Sequence, residues 1–228
     1  MTKHVDVRGV GKSHGSQPPI LRDVDLSIAR GERVALLGRS GSGKSTLLNL
    51  IAGIDQLDRG QIEIDGVTLS SLPDRERTLF RRRHIGFVYQ TFNLIDTLSA
   101  IENIQLPLQL NRVPAAECAE RAADMLQRIG LAGRASAFPD QLSGGEQQRV
   151  AIARAMVHEP ALVLADEHTG NLDATTGDSI AVLFGEMADA LNQSVLMVTH
   201  SRSVAQTADR VLTLRDGSLV PGGDDFAW

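Results

Sequence analysis

Eight consecutive residues, Gly38-Arg39-Ser40-Gly41-Ser42-Gly43-Lys44-Ser45, constrain the fold of this chain more than any other stretch. They spell G-x-x-x-x-G-K-[ST], a pattern with a physical meaning only where a strand gives way to a helix. The flanks supply that context. Arg33 to Leu37 is a short apolar run of strand character, and Lys44 to Ala52 carries Leu47, Leu48 and Ile51 at helical spacing. Between them the glycines let successive N–H groups turn inward as an anion-binding nest, and the helix adds its positive N-terminal end. In that geometry Lys44 reaches the β- and γ-phosphates of a nucleotide, while the Ser45 hydroxyl binds Mg²⁺. A glycine-rich turn ahead of an ordinary helix would not explain Lys44-Ser45 at this offset.

The rest of the chain reads as α/β. His4 to Val10, Val24 to Ile28 and Gln61 to Leu69 are alternating or β-branched runs bounded by Gly, Pro or Asp, as strands are. After the apolar strand Ile85 to Tyr89 the texture turns helical, with Cys118, Ala122, Met125, Leu126 and Ile129 along one face behind Pro114. We divide the chain into a core of residues 1–89 and 142–228 and a helical insert of residues 90–141. From Ser143 the α/β pattern resumes: a helix through Arg149 and Met156, a strand from Ala161 to Ala165, a helix from Ala174 to Leu191 and a strand from Ser194 to Val198. Asp216-Gly217 marks a closing hairpin, and Pro221 to Trp228 reads as a loosely held tail.

Four further places carry chemistry. Leu142-Ser143-Gly144-Gly145-Glu146 is a second glycine-rich phosphate reader about a hundred residues after the first, at the opening of a helix whose N–H groups need an anion. Leu162 to Glu167 is an apolar strand ending in two carboxylates. There Asp166 is placed to hold Mg²⁺, and Glu167, one residue farther on, to orient and deprotonate an attacking water. Either carboxylate alone also has a plausible reading as an acidic helix cap. His200 closes the strand Ser194 to Val198, and Gln90 closes the strand before the insert. Neighbouring parallel strands put such C-terminal ends around one crevice, where Gln90 can sense Mg²⁺ or the attacking water. Taken singly, the histidine reads as structural and the glutamine as surface.

Bulk properties bound the function. The 228 residues suffice for one large α/β domain with or without an insert. The net charge of −5 gives no basic face for nucleic acid. Arg75, Arg77, Arg81, Arg82 and Arg83 form one local cluster, which reads as a solvated helix face. Cys118 is the lone cysteine, which excludes an internal disulfide and suits a reducing compartment. No segment resembles a signal peptide or approaches the ~18 apolar residues of a membrane span, so any membrane role is expected to run through a partner.

Taken together, Gly38 to Thr46, Gln90, Leu142 to Glu146, Ala161 to Glu167, Asn171-Leu172-Asp173 and His200 resemble the nucleotide-binding subunit of ATP-binding cassette transporters, over nearly the whole chain. The resemblance implies a P-loop NTPase (RecA-like) core with an N-terminal antiparallel β subdomain and a helical insert subdomain. It makes these segments the Walker A loop, Q-loop, signature motif, Walker B strand, D-loop and switch histidine. It implies ATP and Mg²⁺ as cofactors. ATP would be bound by Gly38, Arg39, Ser40, Gly41, Ser42, Gly43, Lys44, Ser45, Thr46, Ser143, Gly144, Gly145 and Asp173. Mg²⁺ would be held at Ser45, Gln90 and Asp166, and catalysis would fall to Glu167, His200, Lys44 and Gln90. The family works as a head-to-tail homodimer, so Ser143 and Gly145 of one copy would close on the γ-phosphate held by Lys44 of the other.

Within the family, Thr91 to Leu98, Glu102-Asn103-Ile104 with Pro107, Gly144 to Ala151, Gly170 to Asp173 and Gly177-Asp178 look most like the lipoprotein-release, macrolide-export and YbbA-like group. That group implies an ATPase at the cytoplasmic face of the inner membrane, peripheral through an integral permease with a large extracytoplasmic domain. It drives export, extraction or force transmission on hydrophobic or lipid-linked cargo, without nucleic acid. Phe92, Leu94 and Ile95 are candidates to receive the permease's cytoplasmic helix; the alternative is burial inside the insert. Two departures stand out. His168 occupies the usual proline position after Glu167, either as a tolerated loop change or as an imidazole that makes turnover pH-sensitive. Lys12-Ser13-His14 replaces the usual adenine-stacking aromatic, leaving His14 as the weaker stacker. Two rival functions remain: a soluble relative acting on ribosomes or nucleic acid, for which nucleic-acid-stimulated hydrolysis would speak, and a regulatory module that holds ATP without turning it over.

Overall fold

The structure is a computed structural model and describes residues 3–13, 15 and 18–222. Its centre is a six-stranded sheet in the order β10-β9-β3-β8-β7-β6, formed by β3 (Arg33–Leu37), β6 (Ile85–Val88), β7 (Leu162–Asp166), β8 (Ser194–Val198), β9 (Arg210–Arg215) and β10 (Ser218–Pro221). Strands β9, β3, β8, β7 and β6 run parallel, and β10 closes the edge as an antiparallel hairpin through Asp216-Gly217. A second, wholly antiparallel sheet is built from β1 (Lys3–Lys12), β2 (Leu21–Ala29), β4 (Arg59–Ile64) and β5 (Val67–Thr68), in the order β2-β1-β4-β5.

The strict two-residue period of the central strands divides the core. Ala35, Leu37, Val163, Ala165, Val195 and Met197 face one side, where they pack with α3 (Ala100–Leu110), α4 (Ala115–Arg128), α5 (Gly144–Met156) and α6 (Ala174–Ala190). Val34, Leu36, Leu162, Leu164, Leu196 and Val198 face the other, against α1 (Lys44–Ile51), Phe80 of α2 (Asp74–His84) and the antiparallel sheet. Strands covered on both faces must be apolar throughout, which is why β3, β7 and β8 read as continuous apolar runs. Between β6 and α5 the described chain is helical, and α3 and α4 share a single apolar cluster with α5 and the sheet.

Several expectations are corrected in detail. The run Gln61 to Leu69 is two strands, because Asp65 (φ 51°) and Gly66 (φ 78°) make a two-residue hairpin turn that pairs Ile64 with Val67. Residues Asp74–His84 form a helix in its own right, with Asp74 and Glu76 in the first turn and Arg81 to His84 in the last, complementing its dipole. Its arginines are not simply solvated. Arg77 is buried and pairs with Asp74 at 2.9 Å, Arg81 donates to the Gly53 carbonyl at 2.8 Å, and Arg82 donates to Asn111 Oδ1 at 3.2 Å. Of the expected loose tail, residues 223–228 lie outside the described residues.

Candidate functional site

Strand order places the chemistry. The C-terminal ends of β3, β8, β7 and β6 are neighbours in the sheet, and they deliver the phosphate loop, His200, Asp166-Glu167 and Gln90 respectively to one edge. Gly41 (φ 76°) and Gly43 (φ 101°) take left-handed conformations that let the loop curl over the start of α1. A side chain at Gly43 would also strike Ile20 Cγ2 at 2.7 Å. The first N–H groups of α1, those of Lys44, Ser45 and Thr46, have no acceptor within the helix and so remain available to an anion.

Lys44 is almost fully buried beneath the loop. Its ammonium donates to the carbonyls of Gly38 at 2.8 Å and Arg39 at 3.1 Å, and lies 3.3 Å from His200 Nε2. Burial holds its pKa below the usual lysine value, against the opposing pull of Glu167 and then Asp166. His200 Nε2 also meets Glu167 Oε1 at 2.9 Å. One imidazole nitrogen thus faces both an ammonium and a carboxylate, and it can satisfy only one at a time: protonated it donates to Glu167, unprotonated it accepts from Lys44. Glu167 itself sits at φ 47°, a left-handed conformation rare for a non-glycine residue, while its N–H is tied to the Val198 carbonyl at 3.0 Å. The strained turn lifts its carboxylate out of the strand line toward His200.

Gln90 is exposed at the end of β6. Its carbonyl accepts from Asn171 Nδ2 at 2.9 Å, and a Cβ at Gly170 would lie 3.1 Å from its side-chain Nε2. Asp173 caps α6, accepting from the Thr176 N–H at 3.0 Å, and hydrogen bonding from the Thr176 side chain and then its backbone holds the Asp173 pKa below the usual carboxylate range. Ser143 caps α5 in a reciprocal box: its N–H donates to Glu146 Oε2 at 2.8 Å and its Oγ accepts from the Glu146 N–H at 3.3 Å. The two glycines after Ser143 also serve packing within the chain. A Cβ at Gly145 would meet Thr176 Cγ2 at 2.8 Å, and one at Gly144 would touch Leu172 and Phe92.

Two cavities border this edge. One of about 620 Å³ lies between the phosphate loop, Pro18 to Arg22 and the Thr213 to Gly217 hairpin, and a second of about 530 Å³ joins Glu167, His200 and Asp173. Within the chain Lys44 and Glu167 both meet His200, and Gln90 meets Asn171 in the loop after Glu167, whereas the described residues that line the two cavities do not include Ser143, Gly144 or Gly145. The proposed adenine stacker His14 lies outside the described residues.

The residues present fit a magnesium-bound triphosphate. A glycine-lined cradle, free helix N–H groups, a sequestered lysine satisfied by backbone carbonyls and the exposed Ser45 hydroxyl suit a phosphate chain. No group of three or more His, Cys, Asp or Glu side chains among the described residues could hold a metal alone. Mg²⁺ commonly keeps waters and is bound through one or two protein oxygens together with substrate phosphates.

Sequence reasoning missed Arg154. Its guanidinium donates from α5 to the carbonyls of Asn93 at 2.7 Å and Phe92 at 3.0 Å, holding the segment just beyond Gln90. A lone charge inside the apolar run Val150 to Met156 was the signal that could have found it. Asn103 is a second omission from the site. Fully buried, it accepts from the Ile95 N–H and donates to the carbonyls of Ile95, Leu98 and Ser99, stitching the same segment to α3. His168 stands in a turn, as expected of a loop position, but its ring faces inward. It is buried against Phe184, ring centroids 4.7 Å apart, with no hydrogen bond to either ring nitrogen, and burial pushes its pKa down to about 4. A neutral ring turned into the core does not act as a cation beside Glu167.

Comparison with known proteins gives a consistent answer. The family described as ABC transporter matches residues 21–170. The chain is 50% identical over 202 residues to an uncharacterised ABC transporter ATP-binding protein of Mycobacterium tuberculosis (strain H37Rv), covering 89% of this chain and 82% of that protein. It is 45% identical to the lipoprotein-releasing system ATP-binding protein LolD of Pseudomonas fluorescens, covering 93% and 95%. Among solved structures it is similar to the dimeric ATP-binding cassette MJ0796 in a post-hydrolysis state bound to ADP and Pi, with a TM-score of 0.84, 40% identity and coverage of 94% of this chain and 96% of that one.

Proposed function

The chain belongs to the ABC transporter family as an ATP-binding and ATP-hydrolysing subunit, and from that premise we propose how its residues divide the work. Lys44 and the amides that open α1 hold the β- and γ-phosphates, and Ser45, Asp166 and Gln90 would hold Mg²⁺, which when bound would supply positive charge against the phosphates. Glu167 takes the proton of the attacking water. His200 orients Glu167 and releases Lys44 to the nucleotide, since one ring nitrogen faces both. Ser143 and Gly145 act in trans, closing the site of a second copy of this chain, with Asp173 at the seam. The observation that carries this reading is the meeting of Lys44 and Glu167 at His200 on one sheet edge.

We further propose that the pair drives an integral membrane permease and is held by it at the cytoplasmic face of the inner membrane. No helix among the described residues is long and apolar enough to cross a membrane. Likeness to lipoprotein-releasing ATP-binding proteins supports a permease of that group, with a large extracytoplasmic domain and hydrophobic or lipid-linked cargo. Beside the three residues that the sequence suggested, a second surface is a candidate for docking. Phe92 packs against Gly144, Leu94 packs against the core, and of the three expected residues only Ile95 is well exposed. A groove of about 640 Å³ between α2, β6, α3 and α5 suits a helix better. Its walls include Leu106, Leu110 and Tyr89 with Arg81, Arg82 and Arg154, and they contain no carboxylate. An apolar helix carrying an acidic residue would complement it.

Affinity capture of tagged Glu167→Gln protein from detergent-solubilised cells in Mg-ATP tests the proposal. A stoichiometric membrane protein with a large extracytoplasmic domain is the expected companion, lost on Leu106→Asp. Recovery of ribosomes or nucleic acid without a membrane protein would overturn it.

A further inference from the structure

The backbone just beyond Gln90 is held from two opposite sides. From the loop after β7, Asn171 donates to the Gln90 carbonyl at 2.9 Å, and from the middle of α5, Arg154 donates to the carbonyls of Phe92 and Asn93. Asn93 stands at φ 49°, so these carbonyls are presented by a turned segment and not by an extended one. The Phe92 ring then reaches back to the start of α5, close enough that a Cβ on Gly144 would lie 3.6 Å from its tip. Arg154 and Gly144 are ten residues apart, about 15 Å along one rigid helix. The segment is therefore fastened to α5 at two well-separated points. Arg154 also lines the groove between α2, β6, α3 and α5.

We propose that Arg154 is the positioning residue that makes the Gln90 loop and the Ser143 helix move as one body, so that an occupant of the groove shifts Ser143 through Arg154. The groove's occupant rests on the permease reading above; the fastening does not. A guanidinium suits the task because its rigid fork donates along two fixed directions to two carbonyls, whereas an ammonium on a flexible stem holds one of them. The burial that keeps this guanidinium's pKa below its usual value also makes an alternative, unbonded position for it costly.

Amide hydrogen exchange of the isolated chain, read peptide by peptide in Arg154→Lys and Arg154→Met, tests the fastening. The expected result is exchange at least 10-fold faster across residues 91–95 in both variants, with α4 and the central sheet unchanged. Nucleotide binding to the monomer should stay within twofold of wild type, because Lys44 and its loop are untouched. ATP-driven dimerisation of the Glu167→Gln protein, which needs Ser143 in register, should weaken at least 10-fold. A merely structural role would instead lower the melting temperature and raise exchange throughout α5 and its neighbours, and that pattern overturns the proposal. Unchanged exchange at 91–95 with full dimerisation does the same. If local exchange and dimerisation respond as expected but no permease is captured, the fastening stands and the groove assignment fails. If a permease is captured normally by the Arg154→Lys protein and exchange is unchanged, the fastening fails alone.

Discussion

Replacing His168 with leucine should make the protein more stable, by an amount that grows as the pH falls. The ring is 2% exposed, packs on Phe184, and offers one donor and one acceptor that find no partner. A buried polar group left unpaired costs about 1–3 kcal/mol, and lost ring stacking returns about 0.5–1 kcal/mol, so at pH 7.5 the leucine variant should gain up to about 2.5 kcal/mol. The pH term has a definite sign. Burial lowers the folded-state pKa from 6.5 to about 4, so above pH 6.5 both states are neutral and the residue adds no pH dependence. As pH falls from 6.5 toward 4 the unfolded chain takes up a proton that the folded chain refuses, and wild type loses stability, up to about 3 kcal/mol at 1.36 kcal/mol per pKa unit. At pH 5 the advantage of His168→Leu should be about 2 kcal/mol larger than at pH 7.5. Urea titrations followed by circular dichroism at both pH values, without nucleotide, measure the two differences. A variant no more stable than wild type, with a gap that does not widen at pH 5, would refute the burial argument. The pH–rate profiles of the two proteins should superimpose around neutrality, because the wild-type ring carries no charge there. A profile that moves with His168 would restore the imidazole to a role beside Glu167.

Gly86→Ala should cost about 2–3 kcal/mol, seen as a melting temperature about 4–12 °C lower, because its Cβ would press on the Ala155 carbonyl where β6 meets α5. Asn103→Ala strips four hydrogen bonds from the segment Ile95 to Ser99; a loss of about 2–3 kcal/mol should come with faster amide exchange across those residues. Lys44→Met should abolish phosphate release, yet leave the nucleotide-free melting temperature unchanged or higher, because a desolvated ammonium has been removed. A fall in stability would mean that Lys44 works mainly as a structural tie between Gly38 and Arg39.

Local pattern carried the sequence reading furthest where function and backbone geometry coincide. Gly43-Lys44-Ser45 needs its neighbours in a fixed conformation to work, and Leu162 to Glu167 must be apolar on both faces and acidic at its end, so each announces itself within a few residues. The antiparallel hairpin at Asp65-Gly66 was legible in principle from the same turn chemistry and was read through as one strand. What stayed hidden depends on long-range packing. Arg81 and Arg82 look like a solvated face until Gly53 and Asn111, far away in sequence, are seen to receive them. The burial of the His168 ring stays hidden because Phe184, the ring it packs on, lies on the next helix. Only the fold, likewise, shows that Phe92 is half-buried with Gly144 beside its ring.

The central claim, that Lys44 of one copy and Ser143 of another complete one ATP site, is tested most directly by mixing two defective proteins. Both carry Glu167→Gln to stop turnover; one adds Lys44→Ala and the other Ser143→Arg. Each alone has no complete site in a head-to-tail pair, whereas the mixture has one, formed by Lys44 of the second protein and Ser143 of the first. Sedimentation equilibrium in Mg-ATP should therefore find monomers for each protein alone and heterodimers for the mixture. A mixture that stays monomeric while the Glu167→Gln protein dimerises, or either double variant dimerising as well by itself, would contradict it.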